Sequence, residues 1–298
     1  MIYTVTFNPA VDLVMRTDGL RSGEVNRARG EELMFGGKGI NVSLVLHEFG
    51  VESVALGFIA GFTGDAIEQG VRSAGVKTDF IRLESGFSRI NVKIKAESET
   101  ELNGTGPDIP YSALEELLAR LDGLCEDDTL VLAGSVPPSM PADIYERILA
   151  RLSGRGIRAA VDAQGELLRD VLKYRPYLIK PNDRELGELF GVEISGAAQA
   201  REYAARLQAQ GARNVLVSMA EKGAVLLDED GGEHFCAACT GQVRNSVGAG
   251  DSMLAGFLAG ARRGFDEALR LGTAAGGATA FSDGLAVRAD IERLLQQL

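Results

Sequence analysis

Asn245 to Phe257 reads NSVGAGDSMLAGF, in which three small residues, Gly248, Ala249 and Gly250, deliver Asp251 and Ser252 to the first turn of an apolar helix. Small residues let the backbone turn sharply and come close to a ligand, and the unpaired amides of a helix start then face an anion. Phosphates repel carboxylates, so Asp251 suits proton acceptance better than charge binding. Donors for a moving phosphoryl group beside a base for an attacking oxygen are what phosphoryl transfer to a hydroxyl requires. Taken alone, the same residues describe equally well a tight turn followed by a first-turn acid, which helix starts favour.

Outward from this stretch the chain alternates strands and helices. Downstream, Asp251 to Arg263, Phe265 to about Phe281 and Ala289 to Gln297 read as successive helices. The second contains GTAAGGATA, where another backbone or a flat ligand can approach closely. Upstream, Ser53 to Phe58, Thr129 to Ala133, Arg158 to Asp162, Tyr177 to Lys180, Asn214 to Ser218 and Ala224 to Leu227 are short apolar strands. Between them lie helices at Asp65 to Ala74, stopped by Gly75, at Ser112 to Leu121, with Ser112 and Glu115 spaced as a capping box, and at Glu166 to Leu172. Apolar strands alternating with helices predict an α/β fold, a mostly parallel sheet covered on both faces. Ser135, Asn182 and Ser218 each follow a strand and fall on one sheet edge, where open α/β sheets bind ligands.

The N-terminal part is patterned differently. After a core strand, Ile2 to Phe7, three segments at about 10–17, 24–35 and 87–105 read as a small one-sided sheet set apart from the main one. In Arg89 to Lys95, Ile90, Val92 and Ile94 point one way while Arg89, Asn91, Lys93 and Lys95 point the other. The apolar face is expected to pack; the basic face is either a binding surface or the wet side of an edge strand. Between these segments, GGKGINVS (Gly36 to Ser43) opens a helix with flexible amides and a point positive charge, a second anion site.

Bulk properties narrow the partners. The 298 residues carry 31 Lys plus Arg against 42 Asp plus Glu, a net charge of -11, which argues against nucleic-acid or anionic-membrane binding. No long apolar span and no signal-peptide pattern is present, so a cytoplasmic protein is expected. Three cysteines make no disulfide framework, and Cys236 and Cys239 are expected as small apolar residues of a short strand. Neither His47 nor His234 carries evident chemistry.

GGKGINVS, KPNDREL (Lys180 to Leu186) and NSVGAGDSMLAGF together resemble, in order and spacing over essentially the whole chain, the ribokinase-like or pfkB family of carbohydrate kinases. The resemblance implies a single ribokinase-like domain over 1–298, with a three-layer α/β/α core and the small sheet as a lid. It also implies transfer of the γ-phosphoryl group of ATP, with Mg2+, to a sugar hydroxyl. Asp251 is then the catalytic base, and the amides of Gly248, Ala249 and Gly250 are the anion hole. Asn182, Ser218, Glu221 and Gly223 then fall on the nucleotide side, and Glu185 near the metal, acting on it indirectly. Asp12, Gly37, Lys38 and Asn41 fall on the sugar side.

RINVKI (Arg89 to Ile94), GSVPPSMP (Gly134 to Pro141) and NPAVD (Asn8 to Asp12) look most like the 1-phosphofructokinase group, with tagatose-6-phosphate kinases as near relatives. A sugar phosphate favours clustered cations, and Lys38, Arg27 and Arg89, with Asn91 and Ser135, are the candidates. The implied reaction converts fructose 1-phosphate to fructose 1,6-bisphosphate at the 6-hydroxyl. The alternatives are tagatose 6-phosphate as substrate or, from another class, a non-catalytic sugar-phosphate sensor. Lids of this family often pair between subunits, which makes a homodimer the expected assembly. Asn245, often Asp in the family, and Ala220, where Gly is common, depart from the pattern.

Overall fold

The computed structural model describes residues 1–298. Its first half runs β1 (Ile2–Thr6), β2 (Ala10–Arg16), β3 (Gly30–Gly36), α1 (Lys38–Glu48), β4 (Ser53–Ala60), α2 (Gly61–Ser73), β5 (Lys77–Leu83), β6 (Arg89–Lys95), β7 (Glu99–Asn103), α3 (Tyr111–Leu121), β8 (Thr129–Ala133) and α4 (Ile144–Leu152). The second half continues with β9 (Arg158–Asp162), α5 (Gly165–Val171), β10 (Leu178–Ile179), α6 (Asp183–Phe190), α7 (Ala197–Ala209), β11 (Asn214–Ser218), β12 (Ala224–Leu227), β13 (Glu233–Cys236), α8 (Ala249–Gly260), α9 (Phe265–Ala280) and α10 (Arg288–Leu295).

The main sheet has the order β13-β12-β11-β10-β9-β8-β1-β4-β5. From β5 to β11 the strands are parallel, and β12 and β13 extend the sheet antiparallel. The wholly apolar run of β8 shows why both faces are covered. Leu130 and Leu132 enter a core shared with α3 to α7, while Val131 and Ala133 enter the opposite core with α1, α8, α9 and α10. The small residues of α9 serve a backbone approach rather than a flat ligand. A Cβ on Gly272 would lie 2.8 Å from Met253 O, and one on Gly256 2.5 Å from Leu271 O, so α8 and α9 pack main chain to main chain.

The second sheet has the order β3-β2-β6-β7 and stands over the C-terminal edge of the main one as a lid. Three details differ from the sequence reading. The segment 24–35 forms a strand only from Gly30, and Arg27 lies in an exposed loop before it. Strand β6 is interior, flanked by β2 and β7, so its charges are not the wet side of an edge. Its polar face is also the more buried one: Asn91 and Lys93 are buried, whereas Ile90, Val92 and Ile94 are half-buried. The polar face looks into the cleft beneath the lid, and burial follows that cleft rather than side-chain polarity.

The expected capping box at Ser112 does not form. Helix α3 begins at Tyr111 after Pro110 with no side-chain cap. The box occurs instead at α6, where Asn182 Oδ1 accepts from the Glu185 amide at 2.8 Å and Glu185 Oε2 accepts from the Asn182 amide at 2.9 Å.

Candidate active site

Gly248 is the N-cap of α8, with φ 81°, a left-handed conformation that glycine adopts without strain. It aims the helix start into the cleft. Of the three small residues there, Ala249 already donates its amide to Ser246 O at 3.3 Å, while the amides of Gly248, Gly250 and Asp251 have no acceptor within the chain. The amides free to receive an anion are therefore those of Gly248, Gly250 and Asp251, while that of Ala249 is engaged in the turn.

The Asp251 side chain is buried at the same point, and Asn41 Nδ2 donates to its Oδ2 at 2.8 Å. Burial, then the charge of Asp162, pushes the Asp251 carboxyl up to about 6 against the opposing effects of Asn41, Lys38 and Lys180. A carboxylate poised near 6 is ionised at neutral pH and still basic enough to take a proton from an alcohol in flight. Behind it, Ser252 Oγ and Thr279 Oγ1 share a buried hydrogen bond of 2.6 Å, and Thr279 Oγ1 accepts from the Ala286 amide at 2.8 Å, which locks α8 to the end of α9.

Asp162, at the end of β9, is almost fully buried between two ammonium groups, Lys38 Nζ at 3.4 Å from Oδ1 and Lys180 Nζ at 3.4 Å from Oδ2. Burial alone would raise its pKa, but Lys180 and Lys38 hold it below the usual carboxylate range. Burial lowers Lys38, yet Asp162, Asp251 and Glu185 outweigh it and leave its pKa raised. Two ammonium groups thus flank one buried carboxylate, one more cation than Asp162 neutralises. A Cβ added to Gly250 would meet Lys180 Nζ at 3.1 Å, so this ammonium stands beside the anion hole.

The lid contributes Asp12, Asn91, Lys93, Glu101 and Asn103 to the ceiling of a cleft of about 400 Å³, whose floor includes Lys38, Asn41, Lys180 and Asp251. Asn91 Nδ2 donates to Asp12 Oδ1 at 2.7 Å and fixes that carboxylate. A second lobe of about 630 Å³ opens beyond Lys38 and Arg89 over the ends of β1, β8 and β9, and it contains Ser135 and Gln164. Gly37, Lys38, Arg89 and Asp162 line both lobes.

On the other side, Asn182, Glu185 and Ser218 line the cleft, with Asn182 bridged to Ser218 at the sheet edge. Both Glu185 oxygens are occupied, Oε2 by the Asn182 amide and Oε1 by Gln164 Nε2. No group of three His, Cys, Asp or Glu side chains is arranged to hold a metal. This donor set suits an ion that arrives on nucleotide phosphates and keeps its waters, as Mg2+ prefers.

Glu221 and Gly223 lie outside the cleft, in the turn after Ser218. Gly223 has φ 88°, and a Cβ there would sit 2.2 Å from Cys236 O, so the hairpin requires glycine at this position. Ala220 keeps φ 48°: the turn retains a glycine-like conformation with alanine in it, at a cost of about 1 kcal/mol.

The structure thus brings together Asp12, Gly37, Lys38, Asn41, Arg89, Asn91, Asn182, Glu185, Ser218, Gly248, Gly250 and Asp251 in one cleft, with Ser135 in the adjoining lobe. Arg27 is not among them; its carbonyl accepts from Thr17 Oγ1 in the lid loop. Asp162 and Lys180 were not singled out from sequence. Asp162 ends β9 and Lys180 directly follows β10, and that shared position at the sheet edge was the available signal.

A family model described as pfkB family carbohydrate kinase matches residues 4–290. The chain is 43% identical to the 1-phosphofructokinase of Bacillus subtilis, over 100% of this chain and 98% of the relative. It is 36% identical to the D-tagatose-1-phosphate kinase of Bacillus licheniformis, again over 100% and 98%. A solved structure from Staphylococcus aureus, provisionally named a phosphofructokinase, superposes with a TM-score of 0.89 at 40% identity, covering 100% of this chain and 97% of that one.

Proposed function

The chain belongs to the pfkB family of carbohydrate kinases, and from that premise we propose that it transfers the γ-phosphoryl group of ATP to the 6-hydroxyl of fructose 1-phosphate in the cytoplasm, giving fructose 1,6-bisphosphate. The observation that carries this reading is Asp251, buried and poised near 6 at the head of α8, between free amides and an ammonium. The names of the relatives, 1-phosphofructokinase at 43% and 36% identity, support the substrate.

The sugar's phosphate is held where the two lobes meet, by Arg89 and Lys38 with Ser135 nearby, while Asp12 and Asn91 accept and donate to ring hydroxyls. This leaves the 6-hydroxyl at Asp251 Oδ1, the oxygen not engaged by Asn41. Asp251 takes the hydroxyl proton as the oxygen attacks. The amides of Gly248, Gly250 and Asp251, with the Lys180 ammonium, receive the moving phosphoryl group; each such donor is worth about 10²–10³-fold in rate. Glu185, beside Asn182, would help hold Mg2+ when it is bound with the nucleotide, and the ion would supply further neutralisation of phosphate charge. The lid excludes water, which would compete as acceptor.

Tagatose 1-phosphate is the second reading, because two relatives bear that name. It replaces tagatose 6-phosphate as the alternative: the phosphate stays on carbon 1 and the acceptor on carbon 6, and only the configuration at carbon 4 changes. A coupled ATP-consumption assay with fructose 1-phosphate, tagatose 1-phosphate, fructose 6-phosphate and ribose tests the proposal. A kcat/KM for fructose 1-phosphate at least tenfold above the others is expected, and no turnover on any of them would favour a sensor.

The assembly proposed is a homodimer through the outer face of the lid. Leu33, Leu13, Val92 and Leu102 are in register across all four strands, and Leu33 and Leu102 are 59% and 62% exposed. Such a row is self-complementary about a twofold axis. Light scattering should give twice the monomer mass, falling to the monomer in Leu33→Glu; a monomeric parent would overturn the dimer.

A further inference from the structure

Lys93 is the one lid cation buried in the ceiling of the cleft, with a side chain only 8% exposed. Its ammonium lies 3.6 Å from Asp12 Oδ2 and 3.8 Å from Glu101 Oε1, both beyond hydrogen-bond reach, and it makes no hydrogen bond to the rest of the chain. The stem of Lys93 is buried, while its Nζ, unlike the fully buried unpaired atoms Arg158 Nε, Arg201 Nε and Thr273 Oγ1, opens into the cleft beside two carboxylates. Charge balance alone does not account for the placement, because Asn91 already orients Asp12 at 2.7 Å, and a lysine set to neutralise Asp12 would close the remaining gap. Its donors are free of the rest of the chain and face the cleft, where a bound molecule can take them in place of water.

We infer that Lys93 is a specificity-determining residue that donates to a ring hydroxyl of the sugar phosphate whose proton is accepted by the facing Asp12 carboxylate. This rests on the kinase reading above. A hydroxyl is both donor and acceptor, and a cation and a carboxylate 3.6 Å apart on the same wall of the cleft can together face one. A phosphate would be repelled by Asp12 and Glu101, and an apolar group would leave the ammonium unpaired. Sites built to pair with a hydroxyl reject the analogue lacking it, because the buried polar groups are then left unsatisfied. Lys93 thereby makes the lid a reader of the sugar ring, as well as a cover.

The test compares the parent with Lys93→Gln and Lys93→Met on fructose 1-phosphate and on its 3-deoxy and 4-deoxy analogues, with KM for ATP and melting temperature measured alongside. The expected result is a rise of about 10- to 100-fold in KM for the sugar phosphate, with KM for ATP and melting temperature little changed. One deoxy analogue should bind the parent as poorly as the variants bind the full sugar, with no further loss when substitution and deoxy analogue are combined. An unchanged sugar KM, additive losses with both analogues, or KM values for sugar and ATP that rise together as the melting temperature falls would overturn the inference while leaving the kinase reading intact. A parent inactive on every sugar phosphate would overturn both.

Discussion

Asn41 Nδ2 donates to Asp251 Oδ2 at 2.8 Å although 210 residues separate them in the chain. The start of α1, which carries the glycine-rich motif, is thus tied to the carboxylate proposed as base at the head of α8, and the two signatures meet at one point. The bond favours the ionised carboxyl against burial and Asp162. Turnover should accordingly fall as pH drops below about 6, and in Asn41→Ala that acidic limb should move to higher pH. A pH profile with an unmoved limb would separate Asn41 from the base.

Asp251→Asn should lower kcat by about 10²–10⁴-fold with KM for ATP near the parent's. The folded pKa of Asp251 is raised, so its ionised form opposes folding once pH exceeds that value. The variant's melting temperature at pH 8 should therefore be no lower than the parent's. Calorimetry and steady-state kinetics on one preparation check both halves.

Lys180→Met would leave Asp162 facing Lys38 alone and remove the ammonium beside Gly250. A loss of about 10²-fold in kcat is expected, the size of one lost oxyanion donor, and a loss confined to KM for the sugar would contradict the assignment. Gly248→Ala should be similarly damaging, since φ 81° disfavours a side chain and its Cβ would lie 2.7 Å from Leu285 Cδ2. Adding Leu285→Ala should not restore it, because the backbone strain remains.

How much of this was legible in the sequence depended on whether a residue's partner lay nearby in the chain. The run TLVLA at 129–133 announced a strand covered on both faces, and local motifs revealed Gly248, Asp251, Lys38 and Asn41. Asp162 ends β9 and Lys180 directly follows β10, and only the strand order sets them side by side. Lys93 was visible as an alternating residue, but alternation does not say which face lies over a cleft. Ser112 and Asn182 both fit a capping pattern with a glutamate three residues on; the box formed at Asn182, where a strand end delivers the chain to the helix. The charge of Arg27 suits a sugar phosphate, but the chain around it is an exposed loop outside the cleft.

His234, assigned no chemistry from sequence, sits between Asp228 Oδ2 and Asp266 Oδ1 at 2.6 Å each and clasps β13 to the start of α9. Burial pushes the imidazole down, but hydrogen bonds and charge from the two carboxylates raise it above 6.5 on balance. Its contribution to stability is full below about 6.5 and is lost as pH rises through the raised folded value. Asp228, held below 3.8, contributes above that value and loses its contribution as pH falls through the depressed one. His234→Ala should therefore cost about 1–2 kcal/mol near pH 6 and less at pH 9; an equal cost at both would remove the charged clasp.

The central claim is tested most directly by following the purified chain with ATP and fructose 1-phosphate by phosphorus NMR. A new phosphomonoester on carbon 6 should appear in step with ADP while the carbon 1 signal persists. ADP formed with inorganic phosphate alone, or no ADP at all, would contradict the account.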